Sequence, residues 1–267
     1  MPKKSLSAEL IIALHLLSII FVLMAYALFL SPYDIAEITD SGKLQAPSLA
    51  HPMGTDHLSR DLLVRVGYGG IYSILIALGI VSIGAGCGLL LGSLAAYFGG
   101  WTDWLISRFT DTLLAFPGMM MALLLITILG RGSGTLILAL GIAFIPSFAR
   151  VARSGMRELK QRNFVKRLEV MDASPARIIF LHMLPLLKDQ FLDALVIGLA
   201  NAILAESALS FLGFGIQAPK PSWGNLMSDA KAYLLKAPGY ALFPGLAIVI
   251  TVFALYLLRK GLFKGEV

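Results

Sequence analysis

Glu206, Ser207 and Ser210 place one carboxyl and two hydroxyls within about one helical turn of an otherwise apolar stretch. A carboxylate there is costly in hydrocarbon, so it faces protein or water. Two positions fit: the wall of a water-filled path, or a helix interface. A proton relay would want a second acid at matching depth, and residues 194–214 hold none. Asp56, Arg60 and Asp61 form a second cluster, just ahead of an uncharged run that starts at Val66. Thr55 or Asp56 suits the N-cap of a following helix; the sharper alternative is an exposed docking contact. His51 and His57, six apart and without a surrounding set of carboxylates, make a poor metal site. His15 and His182 read as packing residues. No G-x-x-x-x-G-K-[ST] loop, Ser/His/Asp arrangement or zinc-hydrolase pattern is present. The single cysteine, Cys87, permits neither an internal disulfide nor a cysteine metal cluster. The chemistry on offer is binding and coupling, without covalent catalysis.

The charge sits elsewhere. Residues 153–188 carry eight Lys/Arg and three acids, a net +5 out of +6 for the chain. Residues 164–171 can form a short helix, which Asp172-Ala173-Ser174-Pro175 then breaks. Ser174 is a good N-cap and Pro175 suits the first position of the next helix. That second helix carries Ile178, Ile179, Phe180, Met183 and Leu184 and is expected to end before Pro185. Two short helices at a bend would make a rigid knob.

The elements that position these groups follow from composition. With 57% hydrophobic and 14% charged residues, against about 25% charged in soluble domains, the chain reads as an all-α integral membrane protein. Six spans are expected: 10–30, a second between Gly69-Gly70 and Gly99-Gly100, then 112–130, 132–149, 194–214 and 237–258. The first resembles a signal peptide, with Lys3 and Lys4 ahead of it. Its 21 uncharged residues are also enough to cross a bilayer, which takes about 20, and an uncleaved span is expected. Six spans put both termini on one side. Lys3, Lys4, Arg259, Lys260 and Lys264 make that side positive, as does the 153–188 loop, so all are expected in the cytoplasm. The basic pI has the same origin, and no nucleic acid is expected. Gly84, Gly88 and Gly92 line one helix face and let a neighbouring backbone approach; packing within the chain is expected over a subunit contact. Trp223 suits an aromatic anchor at the outer interface. Arg108 and Asp111, three apart, are expected to pair.

Residue order narrows this further. The loop resembles the cytoplasmic "EAA" loop of ABC importer permeases, roughly Glu-Ala-Ala, three residues, Gly, then nine residues to Ile-x-Leu-Pro. Leu184-Pro185 fits the end. Lys166-Arg167-Leu168 stands for Glu-Ala-Ala and Asp172 for Gly. Two further stretches resemble the peptide and nickel branch. One is Gly54-Thr55-Asp56-His57-Leu58-Ser59-Arg60-Asp61, like G-T-D-x-x-G-R-D with Ser59 for Gly. The other is Glu206-Ser207-Ala208-Leu209-Ser210-Phe211-Leu212-Gly213-Phe214-Gly215, continuing to Pro221-Ser222-Trp223-Gly224-Asn225. Gly99-Gly100, Asp103, Phe116-Pro117 and Phe243-Pro244-Gly245-Leu246 agree, while Tyr256-Leu257-Leu258-Arg259 departs.

The resemblance implies a type I ABC importer permease fold in the cell inner membrane. Residues 1–45 would hold the tail, first span and start of the outer loop, and 46–267 the permease core. It implies a heterodimer with a homologous permease, two cytoplasmic ATPases that carry ATP and Mg, and an extracytoplasmic solute-binding protein. Lys166, Arg167, Leu168, Glu169, Asp172, Ala173, Ser174, Pro175 and Arg177 would form the ATPase-coupling contact. Glu206, Ser207 and Ser210 would lie at the path or a helix interface, and Asp56, Arg60, Asp61 and Trp223 at the outer entrance. Peptides, nickel or other metal chelates, and antimicrobial peptides are all compatible substrates. A secondary transporter driven by an ion gradient is the alternative class, but it would want paired intramembrane ionisable residues or inverted repeats. A non-transporting membrane scaffold is a third.

Overall fold

The computed structural model describes residues 7–263; Lys3, Lys4 and Lys264 lie outside them. Among the described residues the chain is helical, with one isolated bridge between Thr55 and Asp61. Helix α1 spans Ala8–Ala25 and continues as a wide i→i+5 turn over Tyr26–Leu30. Then come α2 (Leu62–Phe98), α3 (Gly100–Ala115), α4 (Gly118–Leu129), α5 (Ser133–Lys160) and α6 (Asn163–Val170). A wide turn over Arg177–Met183 leads into α7 (Leu184–Phe211), and α8 (Trp223–Ala230) and α9 (Pro238–Leu262) complete the chain.

Five of these helices, wide turns included, are each long and apolar enough to cross a bilayer; α3 and α4 make a sixth span only as a pair. The expected continuous third span is therefore corrected. Its two halves meet at 85° across Phe116-Pro117, because a residue before proline is driven out of the helical region. Phe116 accordingly sits extended, at φ −94° and ψ 133°. The second span is longer than expected, since Gly69 and Gly70 do not end it. They lie inside α2 and take up Trp223 and Met24 in the space a Cβ would fill. Gly99 and Gly100 do end it, both at positive φ. The helix after Ser174-Pro175 also does not stop before Pro185. Pro185 lies where the wide turn over Arg177–Met183 passes into α7, and that widened turn carries the helix past a residue with no N–H to donate.

The core forms where α2 and α5 cross. A Cβ on Gly84 would lie 2.8 Å from Phe144 Cβ, and one on Gly88 2.6 Å from Phe148 Cβ. On Gly92 it would meet the Ala149 carbonyl. The glycine face thus packs within the chain. The beginning of α1 lies against the end of α9, with Leu10 at Gly261 and Lys260 3.8 Å from Glu9. Arg259 pairs with Asp193 of α7 at 2.7 Å. These contacts gather the beginning of α1, the end of α9 and the first half of α7 at the end of the bundle that carries α6. Residues 31–61 and α8 cover the opposite end, where Trp223 donates to the Val66 carbonyl of α2 at 2.9 Å.

Candidate functional site: a projecting knob, a buried carboxyl and an outer scaffold

The knob is built on the C-terminal turn of α5. Arg162 reaches back to Glu158 at 2.8 Å, and α6 begins at the next residue. One face of α6 presents Val165, fully buried, with Phe164 and Leu168 beside it. These pack on Tyr97, Met156, Ile178, Ile179 and Met183. The helix ends in a Schellman arrangement: Ala173 N–H donates to Leu168 O at 3.0 Å and Asp172 N–H to Glu169 O at 3.1 Å. Asp172 takes the left-handed conformation this requires, φ 53°. Ser174 then caps the next helix, its hydroxyl accepting from Arg177 N–H at 3.4 Å.

Lys166, Arg167, Glu169, Asp172, Ser174, Pro175 and Arg177 are all exposed on this knob, while Leu168 and Ala173 are half-buried at its base. Sequence reasoning missed Val170 and Met171, which are 84% and 76% exposed at the tip. Their signal was available: both are apolar, yet Val165 and Leu168 already define the packed side of so short a helix. The result is a rigid platform with two apolar side chains ringed by charge.

Glu206 is fully buried in α7. Ser210 donates to its carboxyl at 2.6 Å and Ser207 at 3.3 Å. Ser73 of α2 and Ser222, the N-cap of α8, lie beside it. The Ser73 hydroxyl in turn accepts from Trp223 N–H at 3.2 Å. Glu206 thus sits at a junction of α2, α7 and α8. Gly224 belongs to the same junction, because a Cβ there would run into the Ser207 carbonyl.

The outer cluster differs from expectation. Asp56, Arg60 and Asp61 are buried, not exposed contacts. Asp56 accepts from Leu58 N–H (2.8 Å), Arg60 N–H (2.9 Å) and Arg60 Nε (2.7 Å), with Arg65 Nε 3.3 Å away. Burying a carboxylate demands such partners. The cap of α2 is Asp61, neither Thr55 nor Asp56; it accepts from Val64 N–H at 2.8 Å. Its other oxygen meets His51 Nδ1 at 2.7 Å. Thr55 instead ties the loop to itself, through the Gly42 carbonyl and Gln45 N–H. Trp223 is likewise no interface anchor but a fully buried core residue, because Gly69 and Gly70 open a slot for it in α2. His51 is buried against Asp61 and Ser41, and His57 bonds Tyr240 at 3.0 Å, so the two serve different contacts. Burial pushes the nearby Asp229 carboxyl above its ordinary range, against the pull of His57, Arg65 and Arg60.

Two smaller expectations also change. Arg108 and Asp111 form no ion pair among the described residues; instead Asp103 of α3 holds Arg153 of α5 through both oxygens, at 2.5 and 2.6 Å. His15 is exposed on α1, bonded to the Ile11 carbonyl, and so is not a packing residue. His182 is half-buried, with its Nε2 out of solvent, in keeping with the packing role expected of it.

Comparison with known proteins agrees with this architecture. Residues 88–264 match the family model described as "Binding-protein-dependent transport system inner membrane component". The chain is 36% identical to the dipeptide transport system permease protein DppC of Alkalihalophilus pseudofirmus, over 91% of this chain and 80% of that protein. It is 35% identical to the glutathione transport system permease protein GsiD of Pectobacterium atrosepticum, covering 97% and 87%. For GsiD of an Escherichia coli strain the figures are 39%, 91% and 81%. A matched model over most of the chain, on a multi-pass helical bundle with a projecting knob, leads to one conclusion: the chain belongs to the binding-protein-dependent transport system inner membrane components, the permeases of ABC importers.

Proposed function

We propose that this chain is one of two homologous permeases of an ATP-driven importer of peptides. Its solute-binding protein delivers cargo to the outer end, where residues 31–61 and α8 form the rim. Two cytoplasmic ATPases hold ATP and Mg, and this chain binds neither and performs no covalent step. Both termini and the knob face the cytoplasm. The observation that carries the reading is the knob itself. Val170 and Met171 stand in water on a base that is packed and capped, an arrangement suited to a hydrophobic cleft on a partner. Closure of the ATPases around ATP would push on this base and, through it, on α5 and α7. Peptide as cargo is supported by the relatives' dipeptide and glutathione permeases.

The paired change Val170→Asp and Met171→Asp tests the reading. Neither residue packs in the core, so insertion and helix content should be kept. Co-purification of the ATPases and ATP-dependent peptide uptake should fall at least tenfold. Uptake that persists in the variant, or that stops on collapse of the proton gradient while ATP is maintained, would sink it.

A further inference from the structure

A cleft of about 410 Å³ opens between the α2–α3 elbow, the end of α5 and α6. Its lining includes Gly99, Gly100, Arg157, Lys160 and Lys166, with Asp103 and Glu169 as its acids. The balance is cationic, because Asp103 is already held by Arg153. Arg157 and Lys166 form no ion pair among the described residues, and Lys160 is anchored on the Tyr97 carbonyl. Next in sequence to the lining residues Gly100 and Asp103, α3 carries Trp101 and Trp104, stacked with ring centroids 6.4 Å apart. They are 73% and 54% exposed. Exposed tryptophans of a spanning chain mark the headgroup level, so they set the depth of the cleft. A basic pocket between helices at that depth, on the cytoplasmic side, matches an anionic headgroup.

We propose that this cleft binds the phosphate of an anionic phospholipid from the cytoplasmic leaflet. Arg157 and Lys166 supply charge, Lys160 is fixed in place, and the two glycines leave room, since a Cβ on either would touch nothing within 4 Å. Lys166 and Glu169 belong to α6, so the headgroup would touch the ATPase-docking knob from behind and steady it. The inference rests on the cytoplasmic placement of α6 proposed above. It adds a lipid requirement to coupling.

The test uses the complete transporter in nanodiscs of phosphatidylcholine alone, or of an equimolar mixture with phosphatidylglycerol. ATP-dependent activity and phosphatidylglycerol retained by native mass spectrometry are read together. Activity should rise several-fold with phosphatidylglycerol. Arg157→Gln should keep its activity in phosphatidylcholine, lose the rise, and retain the lipid about fivefold less tightly, the effect of one surface cation. Arg131→Gln, a change at the opposite end of the bundle, should behave as wild type. Soluble glycerol phosphate added to phosphatidylcholine discs should do nothing. Equal wild-type activity in both discs, or a rise retained by Arg157→Gln, overturns the lipid site while leaving the transporter reading intact. A rise with soluble glycerol phosphate alone overturns the lipid in favour of a free phosphate ester. Absence of ATP-dependent activity in every disc instead counts against the transporter reading.

Discussion

Asp172 and Ser59 both occupy left-handed backbone, at φ 53° and 67°, where the resembling motifs carry glycine. A side chain there costs about 1–2 kcal/mol, least for Asp, which bonds locally. Ser59 is held at its position by Asp56 and by Thr39, which donates twice to its carbonyl. Asp172 sits alone at the edge of the knob, with its side chain exposed. Asp172→Gly should therefore raise thermal stability of the purified chain by about 1 kcal/mol, and Asp172→Val should lower it by at least as much. A glycine variant that melts lower would mean the carboxylate holds the turn in a way the backbone does not reveal. Both positions stand out in the residue order as departures from glycine, so this strain is legible in the sequence. The burial of Asp56, Asp61 and Trp223 is not. A run of polar residues ahead of a span looks alike whether it meets water or folds over on itself. Only the closure of residues 31–61 onto Arg65 and Tyr240 decides between the two.

At the level of elements, periodicity and charge marked the spans well and their ends poorly. Uncharged stretches end where the first charged residue falls, whereas helices end where a backbone bond fails. Hence α5 runs on through Arg150, Arg153 and Arg157, and α7 begins before Pro185. The glycine face of α2 was legible in position, and its partner came from the fold. A contrast within α2 checks that partner. Gly88→Leu must displace Phe148 and the α5 backbone, and should cost at least about 3 kcal/mol, the upper range for overpacking. Gly86→Leu meets nothing within 4 Å and should leave folding near wild type. Expression of folded protein and its melting temperature compare the two. Similar behaviour of both variants would argue that α2 and α5 do not meet along this face.

For the whole molecule the question is which end faces which compartment. The beginning of α1 and the end of α9 lie with α6, and residues 31–61 lie at the opposite end. The single cysteine makes the test direct. In a Cys87→Ser background, Glu158→Cys, exposed beside α6 but outside the docking contact, should react with a membrane-impermeant maleimide only after the cells are opened. Leu49→Cys, in the exposed part of the outer loop, should react in intact cells. The reverse pattern would invert the proposed orientation, and the docking site with it.

Helix α2 is far longer than one crossing needs. Its 37 residues make a rod of about 55 Å, well beyond a hydrocarbon core of about 30 Å, and it contains no proline. Gly88 seats it against α5, about 15 Å from the elbow beside the knob and about 39 Å from the far end that Asp61 caps. Were ATPase closure to tilt α2 about that seat, the rod would be a lever with unequal arms. Under the coupling proposed above, a small stroke at the short arm would then reappear more than twice as large at the outer rim.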